Sequence, residues 1–295
     1  MNLLEVMKRF PDQASCIEYL EKVRWGDDPR CPFCDSRKIN RRNETETGKI
    51  GRWGCQECRA SFRVLHGTLF HGTKTPLQKW FVAISLMANA KKSLSSCQLA
   101  RDLELNQMTA WRIMQKIRAE MATKGNTLLK GIIEADETYI GGKPRKRNKK
   151  EDREHVKRGR GTNKDAIIGV VERGGDVVAQ LTDKVDGKTL LEFISRFVDT
   201  EGSKLMTDEF PAYRRLASVL QHEVVNHQEE YVDGDIHTNT IEGFWSLLKR
   251  AWYGQHHHYS TPYTPLYVAE ACYKYNNRDS TKMFWKFIKE AMITE

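Results

Sequence analysis

Gly131–Ile140, GIIEADETYI, marks the point where the chain changes character. Its β-branched and aromatic residues read as a strand that carries three acids, Glu134, Asp136 and Glu137. Downstream, Ala166–Glu172 (AIIGVVE) and Asp176–Thr182 (DVVAQLT) are two more β-rich runs. Arg173-Gly174-Gly175 between them is a hairpin signal. Lys188–Val198 has helical spacing, with Leu190, Leu191, Ile194 and Phe197 on one face. Lys204–Thr207 reads as a short strand, Pro211–Val219 as a helix, and Glu223–Asn226 as another strand. Asn239–Ala251 and two helices near 265–277 and 281–293 follow. The order β-β-β-α-β-α-β-α predicts an α/β (α+β) domain, a mixed sheet flanked by helices.

Upstream of residue 131 the pattern is helical. Leu77, Trp80, Phe81, Ile84 and Met87 recur at helical intervals, and shorter helices are predicted near 95–103 and 107–121. In the last of these Ala110, Ile113, Met114, Ile117 and Met121 form an apolar stripe. Thr109, Arg112, Gln115, Lys116 and Arg118 fall on the other side, and Asn106 is placed to cap the helix. Three helices whose last bears Arg112 and Lys116 suit a helix-turn-helix that enters a major groove. The alternative is a plain helical bundle linking two domains.

Further upstream, Cys31-x2-Cys34 and Cys55-x2-Cys58 form two pairs separated by twenty residues. Four thiolates at this spacing enclose a tetrahedral Zn²⁺ and leave no open position, so the site is structural. Cys16, Cys97 and Cys272 stand alone, and an odd total without an export signal argues against a disulfide framework. Asp12 is placed to cap a helix over 12–25.

Charge is concentrated rather than spread. The formal net charge is +9, yet residues 143–163 hold ten Lys/Arg against three Asp/Glu and account for +7 of it. Such a segment, which includes Arg145, Lys146 and Arg147, suits a polyanion, because each phosphate neutralised releases counterions. Read blandly, it is a solvated loop. No apolar run approaches the roughly 20 residues of a membrane helix. MNLLEVMKRFPDQ lacks a signal peptide's apolar region and cleavage site. A cytoplasmic protein with no membrane partner is expected.

Three acids carry the catalytic reading: Asp136, Asp208 and Glu242. Asp136 lies on the first strand, where Glu134 has the same side-chain parity and is its rival. Asp208 follows a short strand and precedes a helix, a place where carboxylates line crevices; Glu209 competes with it. Glu242 lies in the first turn of Asn239–Ala251, at the border of the stripe Ile241, Phe244, Trp245, Leu248. Phosphodiester chemistry uses two metal ions roughly 3.5–4 Å apart, and Mg²⁺ takes oxygen ligands. Without cations, two carboxylates about 4 Å apart repel by roughly 4 kcal/mol at an effective dielectric near 20. Two capping roles stay open: Asn239 with Glu242 as a capping box, and Asp208 as the cap of its following helix.

Taken together, the residues resemble DDE-class insertion-sequence transposases with an N-terminal zinc ribbon. The matching motifs are Phe10-Pro11-Asp12, Cys16, Arg24-Trp25 ahead of Cys31-Pro32-x-Cys34, and Asp136-Glu137-Thr138-Tyr139-Ile140-Gly141-Gly142-Lys143. They continue through Asn226-His227, the long run HTNTIEGFWSLLKR over His237–Arg250, and Asn276-Asn277-Arg278. The resemblance implies a ribonuclease-H-like fold in which Asp136, Asp208 and Glu242 bind two Mg²⁺ or Mn²⁺. Lys249, two helical turns beyond Glu242, matches a basic residue that would hold a DNA phosphate, with Arg250 beside it. His256-His257-His258 fits the family's post-helix loop; by itself it reads as a metal site or as a DNA-facing or packing loop.

Water would first hydrolyse the phosphodiester at the element's end, and the 3′-hydroxyl so exposed would attack target DNA. The partners implied are double-stranded DNA, as terminal inverted repeats and target, and further copies of the chain in a homodimer or larger oligomer. Location on a prokaryotic nucleoid is implied with them. The expected organisation is a helical lead-in over 1–30, a zinc ribbon over 31–66, a helix-turn-helix over 75–122 and the catalytic domain over 128–295. A DNA-binding regulator without catalysis, and a ribonuclease-H-like nuclease that never joins strands, are the competing readings.

Overall fold

The computed structural model describes residues 2–42, 50–123, 128–142, 164–225 and 237–293. The chain divides into two compact units: Met1–Ala90 with Leu94–Glu120 and Asp279–Glu295, and Lys91–Ser93 with Met121–Arg278. No helix among the described residues is long and apolar enough to cross a membrane.

The first unit opens with α1 (Leu3–Arg9), which the sequence reading did not separate from its surroundings; Asn2 and Glu5 close it as a capping box. Asp12 caps α2 (Gln13–Trp25) as predicted, accepting from the Ser15 N–H at 2.8 Å. The ribbon is a three-stranded antiparallel sheet, β1 (Ile39–Arg42), β2 (Arg52–Cys55) and β3 (Ser61–Arg63). The three helices predicted upstream of residue 131 are present as α3 (Leu77–Asn89), α4 (Ser96–Asp102) and α5 (Gln107–Thr123). Asn106 begins α5, its side chain accepting from the Met108 N–H at 2.9 Å.

The polar side assigned to α5 needs correction. Arg112 and Lys116 are exposed, but Gln115 and Arg118 are buried, so both flanks of the apolar stripe are covered.

The expected catalytic domain also ends too late at 295. The last helix, Met283–Ala291, belongs to the first unit. Its buried residues Phe284, Phe287, Ile288 and Ala291 make one helical stripe that needs apolar cover. Phe284 stands 5.9 Å from Phe81, Phe10 meets Phe81 edge-on at 4.7 Å, and the Arg9 guanidinium lies 4.5 Å from the Trp285 ring centre.

The second unit is built on a five-stranded mixed sheet. β4 (Ile132–Ile140), β5 (Asp165–Glu172) and β6 (Val177–Thr182) are antiparallel neighbours; β7 (Lys204–Thr207) and β8 (Gln221–Val224) add in parallel on the other side of β4. The spatial order β6-β5-β4-β7-β8, antiparallel then parallel, is the ribonuclease-H-like arrangement that the resemblance implies. Gly174 (φ +73°) makes the tight β5–β6 turn.

Side-chain alternation covers both faces of this sheet. Ile133, Ala135, Ile168 and Val170 face α6 (Gly187–Phe197) and the turn of Tyr213 and Leu216. Ile167, Val171 and Ile140 face α7 (Asn239–Ala251) and Val268 of α8 (Thr264–Asn276). The helix expected over 211–219 is a run of 3₁₀ turns, Pro211–Ser218; its buried residues Tyr213 and Leu216 are three apart, the period on which 3₁₀ side chains eclipse.

Candidate active site

Register places the acids. In the parallel β4–β7 pair Ile132 faces Lys204 and Glu134 faces Met206, so two residues further on Asp136 comes level with Asp208, just past the end of β7. Where β7 stops, β4 continues without that neighbour and its carboxylates can turn toward the gap. Oxygens of Asp136, Glu137 and Asp208 lie within 4.8 Å of one another.

Each acid is held by a different layer. Asp136 Oδ2 accepts from the Trp245 indole N–H at 3.0 Å, on the α7 side. Glu137 Oε2 accepts from the buried Tyr213 hydroxyl at 2.9 Å, on the opposite face. Asp208 Oδ1 accepts from the Phe210 N–H at 3.0 Å, closing the turn after β7. Burial, then the nearby charge of Glu137 and Asp208, pushes the Asp136 carboxyl up to about 7. Burial and the same acids hold the Tyr213 phenol well above its usual range. Three mutually repelling carboxylates with oxygen donors only make a site suited to a hard divalent cation.

Glu134, the rival of Asp136 by parity, has another occupation. It is fully buried and accepts from the Thr240 and Ile241 backbone N–H groups at 2.8 and 3.0 Å, and from the Thr240 hydroxyl at 2.9 Å. Arg173 Nε donates to it at 2.7 Å, while Arg173 Nη2 reaches the His237 carbonyl at 2.7 Å. Glu134 thus caps α7 from a neighbouring strand, placing negative charge on that helix's N-terminus.

Glu242 sits exposed in the first turn of α7 and is not in the acid group. Its carboxylate accepts from the Thr238 hydroxyl at 3.2 Å. The capping box with Asn239 is not formed, because Thr238 is the N-cap residue and Glu134 takes the free N–H groups. Lys249 and Arg250, in the last turn of α7, are both exposed.

Trp245 is seated by an absence. Gly169 of β5 faces Asp136, and a Cβ built there would come within 2.6 Å of the Trp245 ring. Gly169→Ala is therefore expected to displace that ring and the donor it offers Asp136, costing about 1–3 kcal/mol. Urea denaturation would measure the loss, and an unchanged midpoint would show that the ring relocates freely.

In the other unit Cys31, Cys34, Cys55 and Cys58 bring their sulfurs within 4.8 Å. Cys31 Sγ lies 3.5 Å from Cys58 Sγ, and Cys34 Sγ 3.6 Å from Cys55 Sγ. A tetrahedron with Zn–S near 2.3 Å has edges of roughly 3.8 Å, so the four fit a structural zinc. N–H groups of Cys58 and Glu57 hold the Cys55 thiol down. Against the pull of the Ser36 N–H, burial and the neighbouring cysteines push Cys34 up, so without a cation the four sulfurs do not all ionise together. The apolar cluster here is small, Cys31, Cys55 and Phe62 against Trp25, Ile39 and Trp53. Chelation is expected to release one zinc per chain and unfold the ribbon, read as a red shift in tryptophan emission. Retained emission after complete zinc release would contradict it.

The remaining expected contacts divide. Arg112 and Lys116 are exposed one turn apart on α5. Arg145, Lys146, Arg147 and the rest of the basic loop 143–163, with Asn226-His227, lie outside the described residues. His256 is a packing residue: Nε2 is 2.9 Å from the Ser93 hydroxyl and its ring is 4.8 Å from that of Tyr267. His257 and His258 are exposed. Sequence reasoning did not single out Glu137, whose parity is opposite to that of Asp136; the end of β7 as a place where parity stops separating neighbours was the available signal. The Trp245–Asp136 bond was missed because it joins residues 109 apart.

Residues 128–276 match the family described as the ISXO2-like transposase domain, and residues 11–61 match the transposase zinc-ribbon domain. An uncharacterized protein in transposable element ISH50 of Halobacterium salinarum is 28% identical over 271 residues, 87% of this chain and 90% of that one. Among solved structures, the Mos1 strand transfer complex aligns over 72% of this chain and 74% of its own, at 13% identity and a TM-score of 0.31. The mariner Mos1 paired end complex with Mg aligns over 74% and 79%, at 14% identity and a TM-score of 0.27. Superpositions this weak add nothing to the sheet order. The family match spans half of the chain, and the chain belongs to the ISXO2-like transposases.

Proposed function

We propose that this chain cuts and rejoins DNA at a site made by Asp136 and Asp208 with Glu242 as the third acid. The observation that carries this reading is the meeting of Asp136 and Asp208 at the end of β7, with Glu137 beside them. Two Mg²⁺ or Mn²⁺ ions would supply Lewis-acid chemistry there, easing attack on phosphorus and departure of the displaced oxygen.

The protein's own part is positional. Asp136 on β4 and Asp208 just past the end of the parallel strand β7 bring their oxygens together, and the Trp245 N–H donates to Oδ2 of Asp136. Glu134 and Arg173 fix the start of α7, which carries Glu242 in its first turn. Glu242, held by the Thr238 hydroxyl, would have to turn away from it to serve as the third acid. Lys249 and Arg250 would hold DNA phosphates; Arg112, Lys116 and the basic loop with Arg145, Lys146 and Arg147 would hold further duplex.

In the first reaction water attacks the phosphodiester at the element's end, and the bond to the 3′-oxygen breaks as that oxygen takes a proton. In the second the new 3′-hydroxyl attacks a target phosphodiester, forming one P–O bond and breaking another. Since both ends of an element must be handled together, the chain would act as a homodimer or a larger assembly.

The test is cleavage and strand transfer on a duplex carrying the element's end, with and without Mg²⁺, by the wild type and by Asp136→Ala, Asp208→Ala and Glu242→Ala. Each variant is expected to lose activity by at least roughly 10²–10³-fold. Retained cleavage removes that residue from the site. Cleavage without joining would mark a nuclease, and binding without cleavage a regulator.

A further inference from the structure

The ribbon's second hairpin holds charges that nothing in the acid site uses. Arg52 of β2 lies directly opposite Arg63 of β3. Facing residues on antiparallel strands have Cβ atoms about 5 Å apart, and like charges there are destabilising. Both side chains are half-buried. Arg52 Nε donates to the Ser61 hydroxyl at 2.7 Å, and no acid lines the space around the two guanidiniums among the described residues. Several other cations of the same ribbon are paired: Arg30 and Arg37 with Asp28, Lys38 with Glu57, Arg41 with Glu21.

The two arginines open on a cavity of about 240 Å³ that His66, His71 and Ser61 also line. His71 Nδ1 accepts from the Gly67 N–H at 3.0 Å, which leaves its proton on Nε2 as a donor. The His66 and His71 rings meet edge-on at 4.8 Å. Arg24 donates to the carbonyls of Val64 and His66, holding this loop in place and adding positive charge behind it. Burial, with His71 and Arg24 nearby, lowers the His66 pKa, as an electropositive pocket requires.

We propose that this cavity binds a backbone phosphate of DNA, gripped by Arg52 and Arg63 with hydroxyl and imidazole donors beside them. The inference deepens the DNA-processing reading above and rests on it. Guanidiniums match phosphate oxygens in pairs, and an anion between Arg52 and Arg63 would turn their repulsion into joint attraction. Such a contact fixes the position of the ribbon on the duplex without reading its sequence.

The experiment uses the full-length, zinc-loaded protein with two fluorescent duplexes of equal length, the element's end and a scrambled sequence. Anisotropy between 50 and 200 mM NaCl gives affinity and salt slope. Arg52→Gln/Arg63→Gln is expected to weaken binding to both duplexes alike, by roughly 5–20-fold, and to reduce the slope by about 1–2. Zinc content should stay at one per chain, and the Tm should hold or rise, because a repulsion has been removed. A fallen Tm or lost zinc would give these arginines a structural role and overturn the proposal.

Arg63→Lys, which keeps the charge, should keep the slope while losing part of the affinity. A slope that drops as far as in the double variant would overturn the proposal as well. Inorganic phosphate should compete with both duplexes for the wild type. If phosphate stabilises the wild type through these arginines yet the double variant binds DNA unchanged, the cavity takes free phosphate and the proposal fails. A wild type that binds neither duplex would instead bring down the DNA-processing reading itself.

Discussion

Asp136→Asn is expected to abolish cleavage and, in metal-free buffer at pH 8, to raise the Tm of the unit that carries it. Burial and the charges of Glu137 and Asp208 push this carboxyl up to about 7 in the folded protein, whereas an unfolded Asp ionises near 3.9. The folded state therefore binds the proton more tightly. The stability this gives is full below about pH 4 and is lost as pH rises toward 7. At pH 8 the wild type carries the whole cost of an ionised, crowded Asp136, and the amide does not.

At roughly 2–4 °C per kcal/mol, several degrees should separate the two proteins at pH 8, and the gap should narrow steadily below pH 7 and close near pH 4. Millimolar Mg²⁺ should raise the Tm of the wild type more at pH 8 than at pH 6, because protons compete for the same oxygens. It should leave the Asn variant nearly unmoved. Thermal scans across pH test this; a variant less stable than wild type at pH 8 would mean that Asp136 is held by favourable contacts rather than crowded by acids.

Glu134→Ala should cost more than any single change to the acid group. Its loss would take the carboxylate from the Arg173 Nε, on a side chain only 18% exposed, and leave the Thr240 and Ile241 N–H groups without that acceptor. Removing one member of a buried pair costs about 3–5 kcal/mol, a large share of the roughly 5–15 kcal/mol that holds a domain together. Chemical denaturation should show this loss, and Glu134→Gln should recover part of it by keeping one acceptor oxygen. Cleavage should fall in both variants because the turn bearing Glu242 loosens. If Glu134→Ala proves nearly neutral, then Arg173 and the first turn of α7 find other partners.

Much of this architecture was legible in the sequence for identifiable reasons. Spacing alone located the four-cysteine cluster, since C-x2-C pairs leave few other arrangements. Runs rich in β-branched residues located β5 and β6, and two-glycine chemistry at Gly174-Gly175 their turn. What stayed hidden depends on neighbours distant along the chain. Glu134 looked like a catalytic candidate until its partners at Arg173 and Thr240 were in place. Arg118 and Gln115 looked solvent-facing because amphipathicity assumes one covered flank, and α5 has two. Glu242 alone of the three expected acids stands outside the group with Asp136 and Asp208, and no periodicity could separate it from them.

The last helix has a consequence for how fragments of this protein should be cut. Because Met283–Ala291 supplies Phe284 to the same aromatic cluster as Phe10 and Phe81, the sheet-bearing segment is spliced into the first unit rather than appended to it. A recombinant piece stopping near residue 120 would expose those rings and aggregate. A protease nick within the sheet segment would leave both remaining strands of chain tethered through that aromatic knot. Dissecting the ribbon and its helices therefore requires joining residues 1–120 to the final stretch by a linker, not simple truncation.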